Sequence, residues 1–161
     1  MKKENMNNKG FSLVELIIVI AIMAILIVVL APQYLKYVEK SRNSTDMQNA
    51  TEIVNAIQVY AADPDITSNR FAATGANDIT IKFDDSGLTL GGSQDAAFNA
   101  AMANAGLDMT DRKCVSTTAW TEYTITVKVG SDGDVKFDYS PQPFKDKMNS
   151  KTPSAGSGSG S

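Results

Sequence analysis

One carboxylate, Glu15, sits inside an otherwise apolar stretch that closes at Ala31-Pro32. Leu16 to Ala31 contains no polar residue, and Phe11, Leu13 and Val14 extend the run back toward Gly10. A carboxylate inside a membrane-spanning segment costs up to ~2.5–3.5 kcal/mol when central, less near an end, so it requires a partner. Other groups capable of chemistry are sparse. There is no histidine, which removes the commonest general base and metal ligand. No glycine-rich phosphate cradle occurs, because the terminal Gly-Ser repeat neither follows a strand nor opens a helix. Asp84-Asp85 and Asp132/Asp134 fall in turns without the closing Glu of a calcium loop, and they read as solvated carboxylates. Cys114, the single cysteine, reads as a small buried hydrophobe and excludes an intramolecular disulfide. No catalytic set, metal or cofactor is predicted, and the chain is not read as an enzyme.

The element that must position Glu15 is a helix. From Phe11 to Ala31 it spans about 31 Å at 1.5 Å per residue, matching a bilayer core of roughly 30 Å. A helix apolar on every face belongs in lipid or inside an assembly. Beyond Pro32 the pattern continues, with Tyr34 and Tyr37 suited to an interfacial belt. Glu39 to Asp46 is wholly polar and reads as solvated or inter-subunit helix. From Met47 the apolar positions Ala50, Ile53, Val54, Ile57, Tyr60 and Ala61 recur at spacings of three and four, one face seeking a sheet. Asp63-Pro64 stops the helix, since the residue before proline is pushed out of the helical region.

Lys9-Gly10-Phe11-Ser12-Leu13-Val14-Glu15 ahead of an apolar helix resembles the processing site of type IV prepilins and their pseudopilin relatives. The resemblance covers residues 1 to about 62. It implies a cut between Gly10 and Phe11 by a membrane aspartic prepilin peptidase, N-methylation of Phe11, and an assembly role for Glu15 opposite the new amine of Phe11. It also implies self-association into a helical homopolymer, an assembly ATPase and a platform protein as partners, and residence in the membrane before assembly. Leader orientation follows the family: residues 1–10 cytoplasmic, everything after Pro32 outside, and the fibre extracellular. In such fibres the helix commonly opens ahead of Pro32. Here Ala24 stands where many members have Gly, which opposes opening by ~0.8–1.0 kcal/mol. Ile25, Ile27, Val28 and Val29 favour it again. Many members staple their C-terminal region with a disulfide, which this chain cannot do.

The remaining chain reads as one small α/β head at 63–140. Residues 63–78 form a loop, Ile79–Phe83 and Leu88–Leu90 a hairpin around Asp84-Asp85-Ser86-Gly87, and Ser93 an N-cap for an Ala-rich helix ended by Gly106. Thr121–Val129 and Val135–Tyr139 alternate as a second hairpin with one apolar face, with Trp120 at the core edge. Pro141-Gln142-Pro143 ends the folded part, and 141–161 reads as a flexible tail. The fold class is therefore α+β: a long N-terminal helix (11–62, membrane-spanning over 11–31) packed on a small antiparallel sheet, the pilin ladle. A formal charge of −3 and a sequence pI near 4.9 argue against nucleic acid as a main partner.

The reading that follows is a structural subunit of a type IV pilus serving adhesion, motility or uptake. A pseudopilin of a type II secretion or DNA-uptake system and a minor pilin share the same N-terminal half. A membrane-anchored binding domain that keeps its leader and never polymerises is the reading from a different class.

Overall fold

The computed structural model describes residues 10–72, 78–130 and 134–151. The basic leader before Gly10, part of the 63–78 loop, Asp132 and the Gly-Ser tail lie outside the described residues. The chain divides into two compact units between Val38 and Glu39. The first helix, α1, runs Leu13–Ala62 and contributes to both.

In the first unit α1 begins two residues later than the apolar pattern predicts. The carbonyl of Ser12 accepts the first helical bond, from the Leu16 N–H at 3.2 Å, so Ser12 is the N-cap and Phe11 precedes the helix. Every large apolar side chain from Phe11 to Leu35 is exposed. The segment is long and apolar enough to cross a membrane, with a mean hydropathy of 3.4 over its most apolar window. Helix geometry continues through Pro32, although its ring nitrogen has no hydrogen to donate to the carbonyl one turn earlier.

The second unit is α+β. Four antiparallel strands, β1 (Ile79–Asp84), β2 (Gly87–Gly91), β3 (Tyr123–Val129) and β4 (Val135–Ser140), lie in the order β2-β1-β3-β4. The two predicted hairpins form, and β1 joins them by pairing with β3, Ile81 opposite Ile125. That register puts Ile79, Ile81, Phe83, Tyr123, Ile125 and Val127 on one face, all fully buried. They share a single core with Ala50, Ile53, Val54, Ile57 and Tyr60, the predicted stripe of α1. Helix α2 (Asp95–Asn104) adds Phe98, Ala101 and Met102 to that core.

The ends of α2 follow two different rules. At its C-terminus Gly106 takes φ +67°, its N–H bonds to Ala103 and that of Leu107 bonds to Met102, as glycine at this position allows. At the N-terminus Ser93 is not the cap. Gln94 holds that position, and its side chain instead pairs with both backbone groups of Ala72, at 2.9 and 3.1 Å.

Two expectations are corrected. Residues 39–46 are not simply solvated: Asp46 is fully buried and Asn43 is 7% exposed. A chain segment between α2 and β3 lies over that part of the helix, bonded to its polar groups. Nor does the folded part end at Pro141. Residues Gln142–Lys151 form a third helix, α3. The Pro141 carbonyl accepts from the Phe144 and Lys145 N–H groups, and Pro143 sits in the first turn, where its missing hydrogen costs nothing. Phe144 and Met148, one turn apart, enter the core. Phe144 stacks on Tyr123 at 4.5 Å and meets Trp120 edge-on at 5.1 Å.

Truncating Phe144 therefore tests whether α3 belongs to the fold. Phe144→Ala is expected to lower unfolding free energy by about 3–5 kcal/mol, the usual range for a buried aromatic. Urea unfolding of the full chain measures it. A loss within the ~0.5 kcal/mol typical of surface positions would return α3 to the tail.

Candidate functional site

At the start of α1 the sequence Ser12-Leu13-Val14-Glu15 forms half of a capping box. Glu15 Oε2 accepts the Ser12 backbone N–H at 2.9 Å, reaching back across the first turn. The carboxylate thus lies at the positive end of the helix dipole, beside the backbone that carries Phe11. Phe11, Glu15, Leu16, Ile18 and Val19 border one shallow, mainly apolar recess on the helix surface. Gly10 and Phe11 precede the helix in open backbone, and among the described residues nothing beyond the adjoining chain lies within 4 Å of where a Gly10 Cβ would stand. Gly10, Phe11 and Glu15 are therefore brought together, and Pro32 lies about five turns further along the helix.

The second cluster was missed in the sequence. Asp46 Oδ1 accepts the Val115 N–H at 2.9 Å, and Oδ2 accepts the Ser116 N–H at 3.0 Å and the Trp120 indole N–H at 2.8 Å. Two turns earlier, Glu39 Oε1 accepts the Ser116 hydroxyl at 2.7 Å and the N–H groups of Thr117, Thr118 and Ala119. Successive N–H groups converging on one oxygen form an anion-binding nest, filled here by the chain's own carboxylate. Arg112, in the same loop, reaches Glu52 at 2.8 Å and Asn49 at 3.2 Å. The signal that could have found this is spacing. Asp46 precedes Ala50, Ile53 and Ile57 by four, seven and eleven residues, so it stands in line with the apolar stripe.

Electrostatics follow from these contacts. Burial opposes ionisation of Glu39, but the hydrogen bonds from Ser116, Thr118, Ala119 and Thr117 outweigh it and hold the carboxyl at about 2. Burial, then the neighbouring charge of Asp46, pushes the Cys114 thiol up to about 12, consistent with a small buried residue rather than a nucleophile. The same two causes raise the Tyr123 hydroxyl. In the β1–β2 turn Asp84 Oδ1 accepts the N–H groups of Ser86 and Gly87, and Asp134 lies 3.8 Å from Lys136. No group of three or more potential ligand residues is gathered for a metal among the described residues.

Among the described residues one apolar helix is long enough to cross a membrane, with a carboxylate at its start and a small α+β unit after it in sequence, an arrangement that fits membrane anchoring. Residues 5–31 match the family described as the prokaryotic N-terminal methylation motif. The chain is 35% identical over 68 residues to prepilin peptidase-dependent protein A of Clostridium perfringens, covering 41% of this chain and 49% of that protein. It is 37% identical over 76 residues to the type IV major fimbrial protein FimA of Dichelobacter nodosus, covering 42% and 49%. To the fimbrial protein EcpC of Eikenella corrodens it is 32% identical over 100 residues, covering 62% and 65%. The chain spans about half the length of the first two relatives. No solved structure matches. Motif, relatives and fold together make the chain similar to type IV pilins, the likeness resting on its N-terminal part.

The nest at Glu39 carries a pH dependence. The folded carboxyl protonates at about 2 and the unfolded one near 4.5. Its contribution is thus complete above pH 4.5 and fades as pH falls toward 2, where both states hold the proton. Comparing urea unfolding of the wild-type chain and Glu39→Gln at several pH values isolates this group. The stability gap between them is expected to be widest above pH 5 and to narrow below 4.5. A gap constant from pH 7 to pH 2.5 would mean that the nest does not hold a charged carboxylate.

Proposed function

We propose that this chain is the structural subunit of a type IV pilus, cut between Gly10 and Phe11 and polymerising through the first half of α1. The observation that carries this reading is the fully exposed apolar helix with Glu15 at its start. Such a surface requires lipid first and neighbouring helices afterwards. Removal of the leader by a prepilin peptidase frees an ammonium on Phe11, N-methylated as the motif's name implies. Glu15 of one subunit then pairs with the Phe11 amine of the next. Desolvation limits the net gain from such a pair, so it sets axial register while apolar packing supplies cohesion. An assembly ATPase and platform protein drive the process, the leader faces the cytoplasm, and the second unit faces outside. The names of the relatives, fimbrial protein and major fimbrial protein, support a structural pilin role.

The capping bond makes a discriminating test available. Glu15→Gln keeps an acceptor for the Ser12 N–H, because glutamine also serves a capping box, but it removes the charge. Glu15→Leu removes both. Expressed as sole copies, both variants are expected to insert in the membrane, to be cut before Phe11 as mass spectrometry reads it, and to lose at least ten-fold in sheared fibre. Normal fibre yield from Glu15→Gln with loss only in Glu15→Leu would reduce Glu15 to a helix cap. Gly10→Val is expected to block the cut, since the peptidase requires a residue without a bulky side chain beside the scissile bond. Fibre protein still carrying Met1 to Gly10 would end this reading.

Within the fibre, α1 opens in the turn or two before Pro32 while Ala24 stays helical. Pro32 leaves the Val28 carbonyl without its helical donor, and the β-branched residues before it suit extended backbone. A fibre density map with unbroken helix from Leu13 to Ala62 would refute the opening, and extension from Ala24 onward would refute its limit.

A further inference from the structure

The segment from Arg112 to Trp120 is fastened to α1 at three levels, and the levels differ in burial. Arg112 ties one end to Glu52 and Asn49. In the middle, fully buried Asp46 holds Val115, Ser116 and the indole of Trp120, whose ring packs against Phe144. At the outer end Glu39, whose side chain is 16% exposed, holds Ser116 to Ala119. Thr117 and Thr118 are solvent-exposed, and no residue from 117 to 119 is fully buried. The outer part of the segment is thus held mainly by hydrogen bonds to Glu39, with Arg42 donating to the Thr117 hydroxyl at 3.0 Å and only Ala119 of residues 117–119 packed against the core. Regions of that kind open at low free energy while the core stays intact.

We propose that residues 115–119 are a releasable strap, latched first at Glu39 and then at Asp46, that lifts from α1 without loss of the sheet. Ser116 couples the latches. Its hydroxyl donates to Glu39 and accepts the Trp120 N–H at 3.3 Å, while its own N–H donates to Asp46. Release at Glu39 therefore loosens Ser116 before Asp46 lets go, and Asp46 with Trp120 keeps the strap's far end on the core. Cys114, 5% exposed, lies against the same segment, its thiol 3.5 Å from Asp46 Oδ2 and 3.8 Å from the Ser116 carbonyl. Lifting the strap uncovers the chain's single thiol, a built-in reporter. This inference does not depend on polymerisation.

The test is the rate of Cys114 alkylation by iodoacetamide in the full chain in detergent micelles, measured across low urea concentrations. In the wild type, labelling is expected to show a shallow urea dependence, the mark of an opening that exposes little surface. Glu39→Ala is expected to raise the labelling rate at least ten-fold with the same shallow dependence and an unchanged β-sheet circular dichroism signal. Glu39→Gln falls between, because its amide oxygen still accepts the nest's N–H groups. Three results would overturn the strap: labelling of Glu39→Ala at the wild-type rate, labelling with the steep urea dependence of global unfolding, or loss of the sheet signal in Glu39→Ala. The last would make Glu39 integral to the whole unit rather than a latch.

Discussion

The second unit depends on one enclosed carboxylate. A charge removed from water is strongly destabilising unless its oxygens are hydrogen-bonded, and Asp46 has two backbone N–H groups and an indole N–H doing so. This requirement fixes more than Asp46. It determines where the chain between α2 and β3 must run, brings Trp120 inward against Phe144, and so prepares the surface on which α3 packs. Breaking one partner of such a set costs about 3–5 kcal/mol, comparable to removing a core aromatic. With a single cysteine and no intramolecular disulfide available, polar contacts do the fastening of this loop.

The two units of the chain solve opposite solvation problems with one helix. An α-helix satisfies its own backbone, so α1 can present apolar side chains on every face from Leu13 onward without exposing unpaired peptide groups. From Glu39 the same backbone pattern carries an enclosed stripe instead, with Ala50, Ile53 and Ile57 fully buried. The difference is entirely one of side chains. The boundary falls where the first carboxylate engaged by the loop appears.

Three carboxylates on α1 share the need for donors and meet it in different ways. Glu15 turns back to the Ser12 N–H of its own first turn, a contact that leaves it at the exposed end of the helix. Glu39 is wrapped by consecutive backbone N–H groups and keeps its charge far below the usual carboxylate range. Asp46 is enclosed altogether. A family motif points to the first, whereas the other two are legible only through what lies against them.

The apolar run, the stripe from Ala50 to Tyr60 and the alternation in both hairpins determined α1, to within two residues at its start, and the sheet's buried face, because these follow from periods set by local backbone geometry. The Gly10–Glu15 motif likewise carries the proposed processing and assembly residues, which are contiguous in sequence. Three things were decided only by tertiary structure. The pairing of β1 with β3 joins strands about forty residues apart, and nothing local encodes it. The polar run at 39–46 looks solvated until a distant loop supplies its hydrogen bonds. Residues 142–151 are mostly polar, and Phe144 with Met148 makes a helix worth forming only once Trp120 and Tyr123 stand ready to cover them.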